Sequence, residues 1–193
     1  IKFTCKCYDE VFDVFLPMIG EHNVYDALAA IGAGRVLGVK SSKIKKSLSE
    51  FTGTPMRQEI VAFDDIVILN DAYNANPSSM GEAIKALGQL EGKRKIAMLG
   101  DMLELGDFTE EGHRRVGRLL AEEGYSVVLT FGDAAGFIAK EAKLAGLEVH
   151  RCNSHLEMAN AYNDIREKGD VILVKGSRGL RMERVVEELK ERE

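Results

Sequence analysis

The chain has 193 residues, of which 45% are hydrophobic and 30% charged, and this composition is ordinary for a globular protein with a buried core. Its net charge of −5 excludes the basic field that recruits nucleic acid, so we expect no nucleic-acid partner. No apolar run approaches the roughly 18 residues needed to span a membrane. The first residues lack a signal-peptide core, and three cysteines cannot form a closed disulfide framework, so we expect a cytoplasmic protein.

The first quarter of the chain predicts two strands and two helices. Alternating apolar residues over 1–16 are typical of a short hairpin. Apolar residues at helical spacing then predict a helix over about 22–37 and a second one over about 42–50. Ser41 and Ser42 stand where the second helix should begin, and serine is a preferred N-cap residue, so we expect them to cap it.

A domain boundary is expected after these helices. The run Thr52-Gly53-Thr54-Pro55 has the composition of a linker, and the apolar pattern changes beyond it. We therefore expect two domains, 1–53 and 54–193. Because the chain starts with Ile1, in sequence of strand character, we expect it to be a segment of something larger.

The longer second part predicts an open, mostly parallel α/β sheet flanked by helices. Short apolar runs typical of fully buried strands lie at Ile66–Leu69, Ile96–Leu99, Val127–Phe131 and Val171–Val174. Weaker strands are expected at Gln58–Phe63 and Glu148–His150. Helical periodicity fills the intervals, with apolar stripes around Met80, Val116 and Ile138 and further helices near 154–167 and 180–192. Strand–helix alternation of this kind is typical of α/β proteins.

Polar residues collect where the buried strands end, which is where open α/β sheets bind ligands. The run 70–79 is longer than a minimal turn, and its amide side chains, including Asn74 and Asn76, suit a hydroxyl, a peptide or a ribose. Lys175-Gly176-Ser177-Arg178-Gly179 places two cations among glycines. A helix beginning near Leu180 would add its positive end to a site for a carboxylate or phosphate there. A solvated basic loop is the alternative.

Other polar residues favour ordinary structural roles. Asp133, just after a buried run, is interpreted as a turn or helix-capping residue, and His113 as a solvated side chain on a charged helix face. The phosphate-binding pattern G-x-x-x-x-G-K-[ST] does not occur, and no two histidines have the spacing of a helical metal pair. The sequence therefore predicts no metal site in this chain.

Four segments, in this order, resemble the ATP-dependent Mur ligase family. Gly20-Glu21-His22-Asn23-Val24, followed by Ala27-Leu28-Ala29-Ala30, is similar to the superfamily's G-x-H-N-x-x-N-A-L-A-A helix. More specific motifs belong to the branch that adds D-alanyl-D-alanine, and they are similar to Asp71–Met80, Leu99–Gly106 and Lys175–Gly179. The resemblance covers essentially all of the chain but only the rear part of such an enzyme.

The resemblance implies a domain plan and an activity. Family members have a UDP-sugar-binding domain, a central ATPase domain with a P-loop, and a Rossmann-like carboxy-terminal domain. Residues 1–53 would end the central domain, and 54–193 would form the last. ATP would phosphorylate the carboxylate of a UDP-N-acetylmuramoyl-tripeptide, and the amine of D-alanyl-D-alanine would then attack the acyl phosphate, in peptidoglycan synthesis. The P-loop and the Mg²⁺ ligands would lie upstream, so the chain alone is expected to be inactive.

The resemblance also implies roles for individual residues. His22 and Asn23 fall at the adenine contact, and Asp71 falls where an aspartate holds the ribose. Arg57 falls where an arginine meets the phosphates, which gives it a catalytic role in stabilising developing charge. The residues assigned to the D-alanyl-D-alanine side are Asn74, Asn76, Lys175, Ser177 and Arg178. Of these, Lys175 or Arg178 would bind the dipeptide carboxylate.

The sequence departs from the family pattern, and two other functions stay open. Asp26 stands in place of the second asparagine of the helix motif, and Met56 precedes Arg57 where the family usually has glycine. One alternative is another amide ligase of the superfamily, of the folylpolyglutamate or cyanophycin synthetase type. The other is a non-catalytic α/β nucleotide-binding module, which the missing P-loop would suit. A P-loop upstream of Ile1 would favour the enzyme.

Overall fold

The computed structural model describes residues 1–191 and all of their side chains except that of Phe63. The chain divides into two compact units, Ile1–Gly53 and Thr54–Glu193. Within the described residues, no helix combines the length and the apolar character needed to cross a membrane.

The first unit is a β-hairpin packed with two helices. Strands β1 (Lys2–Cys7) and β2 (Glu10–Phe15) pair antiparallel, and they are followed by helices α1 (His22–Val36) and α2 (Ser41–Ser49). A small core joins all four elements and consists of Cys5, Val14, Ile31 and Ile44. These elements correspond to the predicted hairpin and helices.

The expected serine cap of α2 is wrong. The helix begins at Ser41, so the capping position is Lys40, which makes no side-chain cap hydrogen bond. The Ser41 hydroxyl donates to the carboxylate of Glu10 on β2 instead, which is a tertiary rather than a local contact. This hydrogen bond, together with Arg35, lowers the pKa of Glu10 against the smaller opposing effect of burial.

The second unit contains a six-stranded sheet. Its strands are β3 (Glu59–Phe63), β4 (Ile66–Asn70), β5 (Arg94–Gly100), β6 (Val127–Phe131), β7 (Glu148–Cys152) and β8 (Asp170–Lys175). Their order across the sheet is β3-β4-β8-β5-β6-β7, and every pair is parallel except β3–β4. The predicted mostly parallel α/β sheet is confirmed.

Helices cover both faces of this sheet. Neighbouring strand residues such as Ile68 and Leu69 point to opposite faces, and both are fully buried. The helices are α3 (Pro77–Leu87), α4 (Thr109–Glu122), α5 (Ala135–Leu144), α6 (His155–Asn163) and α7 (Glu183–Lys190). One core lies beneath α6 and α7, where Met158, Tyr162 and Val185 pack on the central strands.

The last two helices differ from their predicted ranges. Helix α6 ends at Asn163 rather than near 167, and α7 begins at Glu183 rather than near Leu180. Arg181 has a left-handed backbone (φ 48°), which separates α7 from a short 3-10 turn at Arg178–Leu180. The positive end of α7 therefore does not directly follow the K-G-S-R run, and that part of the predicted anion site is wrong. The predicted helix end at 192 lies outside the described residues.

At the amino end of the sheet, a buried ion pair joins the first residues of β5 and β8. The guanidinium of Arg94 donates to both carboxylate oxygens of Asp170, at 2.8 and 2.9 Å. The Tyr162 hydroxyl and the Glu167 amide donate to the same carboxylate, at 2.9 and 3.0 Å. The Asp170 side chain is fully buried and that of Arg94 is 19% exposed. This bidentate, multiply hydrogen-bonded arrangement is the geometry in which a buried ion pair is tolerated.

Candidate functional site

Most of the predicted site residues meet at one rim of the second unit, where the parallel strands end. Asp71 follows β4 and Lys175 ends β8, and these two strands are parallel neighbours, so the two side chains lie together. Strand β3 runs antiparallel to β4, so the segment that enters β3, with Arg57, reaches the same rim. We call the group Arg57, Asp71, Asn74, Lys175, Ser177 and Arg178 the rim site.

A buried ion pair between Asp71 and Lys175 lies within the rim site. Nζ of Lys175 is 2.5 Å from Oδ2 of Asp71 and 2.9 Å from the carbonyl oxygen of Asn74. The Lys175 side chain is 3% exposed and that of Asp71 is 14% exposed. Burial lowers the pKa of Lys175, and the Asp71 carboxylate opposes this by favouring the charged form. In this structure Lys175 therefore acts as the counter-ion of Asp71, although the sequence assigned it to a substrate carboxylate.

The hydroxyl of Ser177 joins loops that follow different strands. It accepts a hydrogen bond from the Leu103 amide at 2.8 Å and donates to the Ala75 carbonyl at 3.3 Å. The Ser177 amide also donates to the Asp101 carbonyl at 2.9 Å. Ser177 is only 3% exposed. The geometry thus gives this residue a role in holding the loops after β4, β5 and β8 together rather than a surface for a substrate.

The two asparagines predicted for substrate differ in their surroundings. Asn76 caps α3: its Oδ1 accepts from the Ser79 amide at 2.8 Å, and the Ser79 hydroxyl accepts from the Asn76 amide at 3.1 Å. Pro77 follows as the first helical residue, a position that proline favours. Asn74 is exposed, and its backbone carbonyl accepts a hydrogen bond from Lys175. The structure therefore engages Asn76 in the helix cap and leaves the Asn74 side chain at the surface.

Arg57 is presented by a tight loop in front of β3. Its amide donates to the Thr54 carbonyl at 3.0 Å. The residues on either side, Met56 and Gln58, are both left-handed, with φ of 58° and 51°. Such a backbone costs a residue other than glycine roughly 1–2 kcal/mol. The guanidinium of Arg57 lies over the ring of Tyr73, 4.0 Å from its centroid, so the strained loop holds an exposed cation in a defined place.

Arg178 supplies a second exposed cation near this loop. Its Nη2 pairs with Oε1 of Glu183 at 2.9 Å, and its side chain is 49% exposed. Its Nη1 lies 3.6 Å from the sulfur of Met56, which places Arg178 beside the Arg57 loop. Two guanidinium groups thus border the same part of the rim site, and guanidinium groups suit carboxylates and phosphates.

The glycines of the K-G-S-R run serve close packing. A Cβ on Gly176 would lie 2.6 Å from Cγ of Met182 and 3.1 Å from Cα of Gly100. A Cβ on Gly100 would lie 2.9 Å from the Met182 sulfur. The ends of β5 and β8 can therefore approach each other and Met182 only because both positions lack a side chain. The sequence did not indicate this packing.

The interpretation of His113 as a solvated side chain is wrong. His113 is fully buried under the loop that follows β5. Its Nε2 accepts from the Met102 amide at 2.9 Å, and its Nδ1 lies 2.6 Å from the Thr109 carbonyl oxygen. The imidazole therefore carries its proton on Nδ1 and fixes the start of this loop.

Asp101, rather than Asp133, caps helix α5. Oδ1 of Asp101 accepts from the Ala135 amide at 2.6 Å, whereas Asp133 is exposed and makes no side-chain cap. A Cβ on Gly132 would lie 2.4 Å from the Asp101 carboxylate, so the glycine makes room for it. Sequence analysis missed this role, although an aspartate directly after a buried strand was the available signal.

His22 and Asn23, the predicted adenine contacts, begin helix α1 in the first unit. The Asn23 side-chain amide donates to the Ile19 carbonyl at 2.6 Å and lies 3.3 Å from Nε2 of His22. Gly20, just before them, has the left-handed backbone (φ 85°) that favours glycine. The two predicted contacts are thus neighbours at one helix start.

The family model for the Mur ligase glutamate ligase domain matches residues 56–178. The chain belongs to the Mur ligase family. Two curated relatives are UDP-N-acetylmuramoyl-tripeptide–D-alanyl-D-alanine ligases. The one from Bacillus subtilis (strain 168) is 40% identical over 97% of this chain and 41% of its own length. The one from Escherichia coli (strain K12) is 33% identical over 98% of this chain and 42% of its own.

Solved Mur ligases share the fold. MurF from Acinetobacter baumannii superimposes with a TM-score of 0.89 at 31% identity, over 99% of this chain and 42% of that one. The MurF ligase from Thermotoga maritima, solved in complex with ADP, has a TM-score of 0.83 at 26% identity, over 97% and 42% of the two chains. The resemblance drawn from the motifs is confirmed. The chain spans about two fifths of the length of these relatives.

The rim of this Mur ligase chain carries cations but no metal cluster. Among residues 1–191, no three histidine, cysteine, aspartate or glutamate side chains come together as a metal site. The rim has the carboxylate of Asp71 paired with buried Lys175, and two exposed arginines lie beside this pair. Such a set can bind hydroxyl groups and anions.

Proposed function

We propose that this chain is the rear part of an ATP-dependent ligase that adds D-alanyl-D-alanine to a UDP-N-acetylmuramoyl-tripeptide. The observation that carries the proposal is 40% identity to the Bacillus subtilis ligase over 97% of the chain. Residues 1–53 would end a central ATP-binding domain, and the second unit would be the carboxy-terminal domain. The P-loop and the Mg²⁺ ligands would lie elsewhere in a longer cytoplasmic protein.

On the nucleotide side, Arg57 is the residue we propose for the phosphates. A guanidinium is charged at every relevant pH, and its fork of N–H donors matches phosphate oxygens. ATP supplies the phosphoryl group that activates the tripeptide carboxylate as an acyl phosphate. Arg57, held by its loop before the nucleotide arrives, would stabilise the charge on that group without reorganising.

Asp71 has acceptor capacity left for a ribose hydroxyl. Its Oδ1 accepts from the Gln58 amide at 3.1 Å, and its Oδ2 pairs with Lys175. An ionised carboxylate has about four acceptor positions, so these two contacts do not exhaust it. Lys175 pairs with this carboxylate in a largely buried setting and is therefore proposed as a partner of the ribose contact. His22 and Asn23 remain the proposed adenine contacts from the first unit.

On the dipeptide side, Arg178 suits the carboxylate of D-alanyl-D-alanine better than Lys175 does. Arg178 is exposed and paired only along one edge with Glu183, whereas Lys175 is buried and neutralised by Asp71. Asn74 has an exposed amide side chain that suits the peptide group. Ser177 and Asn76, both occupied in hydrogen bonds of the fold, would support these contacts by fixing the loops.

The test uses the protein that carries this chain at its natural length. We expect ADP release that requires both the UDP-N-acetylmuramoyl-tripeptide and D-alanyl-D-alanine. Arg57→Ala should lower kcat by about 10²–10³-fold, as for loss of a fixed donor to developing charge. Arg118→Ala, on the exposed side of α4, is the matched control and should leave the rate unchanged. ADP release that depends on L-glutamate instead of the dipeptide would overturn the proposed substrate.

A further inference from the structure

We propose that Tyr73 is a positioning residue that acts through Arg57. Its ring lies under the guanidinium, 4.0 Å from the central carbon to the ring centroid, in the geometry of a cation–π contact. Tyr73 belongs to the loop after β4, whereas Arg57 belongs to the loop before β3. The inference rests on the proposed role of Arg57 at the phosphates.

Tyr73 also fixes the backbone of the loop that presents Arg57. The Tyr73 amide donates to the Met56 carbonyl at 3.0 Å. One residue therefore holds both the chain next to Arg57 and the tip of its side chain. A long arginine side chain has about 2 kcal/mol of rotamer entropy to lose on binding. Holding the tip in advance reduces what remains to be lost when an anion binds.

The loop that carries Arg57 has a strained backbone, and hydrogen bonds to neighbouring side chains hold it in this conformation. Met56 and Gln58, with φ of 58° and 51°, enclose Arg57. The Met56 amide donates to Oε2 of Glu59 at 3.1 Å, and the Gln58 amide donates to Oδ1 of Asp71 at 3.1 Å. Two left-handed residues other than glycine, separated by one position, persist only where the surrounding contacts hold them in that conformation. Such strain is typical of functional sites.

A ring is a suitable partner for an arginine that must bind an anion. A carboxylate would occupy the N–H donors of the guanidinium and compete with phosphate oxygens. An aromatic face attracts the cation from below and leaves the donors at the edge of the guanidinium plane available. Arg178 shows the contrast, because Glu183 occupies one of its edges at 2.9 Å.

The experiment is a double-mutant cycle in the protein at its natural length, with the dissociation constant of ADP as readout. Tyr73→Leu should weaken ADP binding about 2- to 5-fold, the range of an exposed cation–π contact. Tyr73→Phe keeps the ring and should restore the affinity. Phe137→Leu is the matched control, because it removes a second guanidinium–ring contact, the partly buried one with Arg114 at 5.3 Å, and should leave ADP binding unchanged.

The cycle separates positioning from other roles of Tyr73. If Tyr73 acts through Arg57, Tyr73→Leu should have no further effect in the Arg57→Ala background. An effect of the same size in both backgrounds would overturn the inference, because Tyr73 would then act on the nucleotide or on the fold directly. An unchanged affinity in Tyr73→Leu would overturn it as well. If Arg57→Ala itself leaves ADP binding unchanged, the proposed phosphate role of Arg57 fails and the inference fails with it.

Discussion

The two ends of the six-stranded sheet contain the same kinds of groups and use them differently. At the amino end, Arg94 and Asp170 satisfy each other inside the fold, with Tyr162 and the Glu167 amide completing the carboxylate's hydrogen bonds. At the carboxyl end, Asp71 and Lys175 form a comparable pair, but two more cations, Arg57 and Arg178, stay exposed beside it. The pair at the amino end is enclosed in the fold, whereas the pair at the carboxyl end has exposed cations beside it.

The pKa shifts of the two pairs follow this difference. Burial would raise the pKa of Asp170, but the hydrogen bonds from Arg94, the Glu167 amide and Tyr162 outweigh it, so the pKa falls below the ordinary 3.8. For Lys175 burial outweighs the attraction of Asp71, and its pKa is lowered. Arg57 adds a small repulsion in the same direction. The amino end thus favours the charged form of its pair, and the rim makes its lysine easier to neutralise.

The largest expected effect is a loss of stability on removal of the buried ion pair between Arg94 and Asp170. Asp170→Ala leaves the Arg94 guanidinium without its buried partner and should lower the free energy of unfolding by about 3–5 kcal/mol. Chemical denaturation measures this. Glu111→Gln, in the surface pair with Arg118, is the control and should cost less than about 1 kcal/mol. Equal losses in the two variants would contradict the distinction between the buried pair and surface pairs.

A smaller loss is expected from adding a methyl group at the rim. Gly176→Ala places a Cβ against Met182 and Gly100, and overpacking of this kind costs about 1–3 kcal/mol. Thermal unfolding would show it as a lower Tm. Gly81→Ala is the matched control, since its Cβ would meet Leu119 at an ordinary 3.6 Å inside α3 and should be neutral or stabilising. A Gly176→Ala protein as stable as the wild type would show that the rim can move apart.

Removing the hydroxyl that joins the rim loops should have a local effect. Ser177→Ala deprives the Leu103 amide of its acceptor and should cost about 1–2 kcal/mol. Hydrogen exchange at Leu103 should accelerate roughly 5- to 30-fold if that amide exchanges by local opening. Ser78→Ala, at an exposed position of α3, should leave this exchange rate unchanged. If the Leu103 amide exchanges equally slowly in Ser177→Ala, the hydrogen bond from Met102 to His113, rather than Ser177, holds this loop.

The smallest expected effect is a change in acid sensitivity. The pKa of Asp170 is lower in the folded than in the unfolded state, so the unfolded state binds more protons between the two values. Stability from this group is therefore present above about pH 4 and is lost as the pH falls through the folded pKa. The effect is small because burial opposes the hydrogen bonds. Asp170→Asn should flatten this part of the pH profile of unfolding, and an unchanged slope would exclude Asp170 as its source.

The sequence predicted the central strands well because a strand buried on both faces is a continuous apolar run. The runs at Ile66–Leu69 and Val171–Val174 need only one or two more residues to match β4 and β8. It did not predict the direction of β3, since periodicity carries no information about direction. Yet that direction brings Arg57 to the rim.

Contacts between distant parts of the chain were also beyond the sequence. The pairing of Asp71 with Lys175 joins positions 104 residues apart and depends on the adjacency of β4 and β8. Tyr73 under Arg57 depends on the same sheet edge. His113 was misjudged for a similar reason, because its partner is a backbone amide of a loop rather than a side chain on its own helix. The motifs thus indicated where the rim lies, and only the folded sheet shows which of its residues contact one another.

The place of β8 has a consequence for how the protein is made. This strand, Asp170–Lys175, is the last of the described strands to leave the ribosome, yet it lies between β4 and β5. Until it arrives, β4 and β5 have no common neighbour, and the backbone N–H and C=O groups on the edges that pair with β8 lack these partners. Such long-range pairing slows folding and exposes intermediates to aggregation. Because β8 also carries Lys175 to Asp71, the rim site cannot be complete before β8 has joined the sheet.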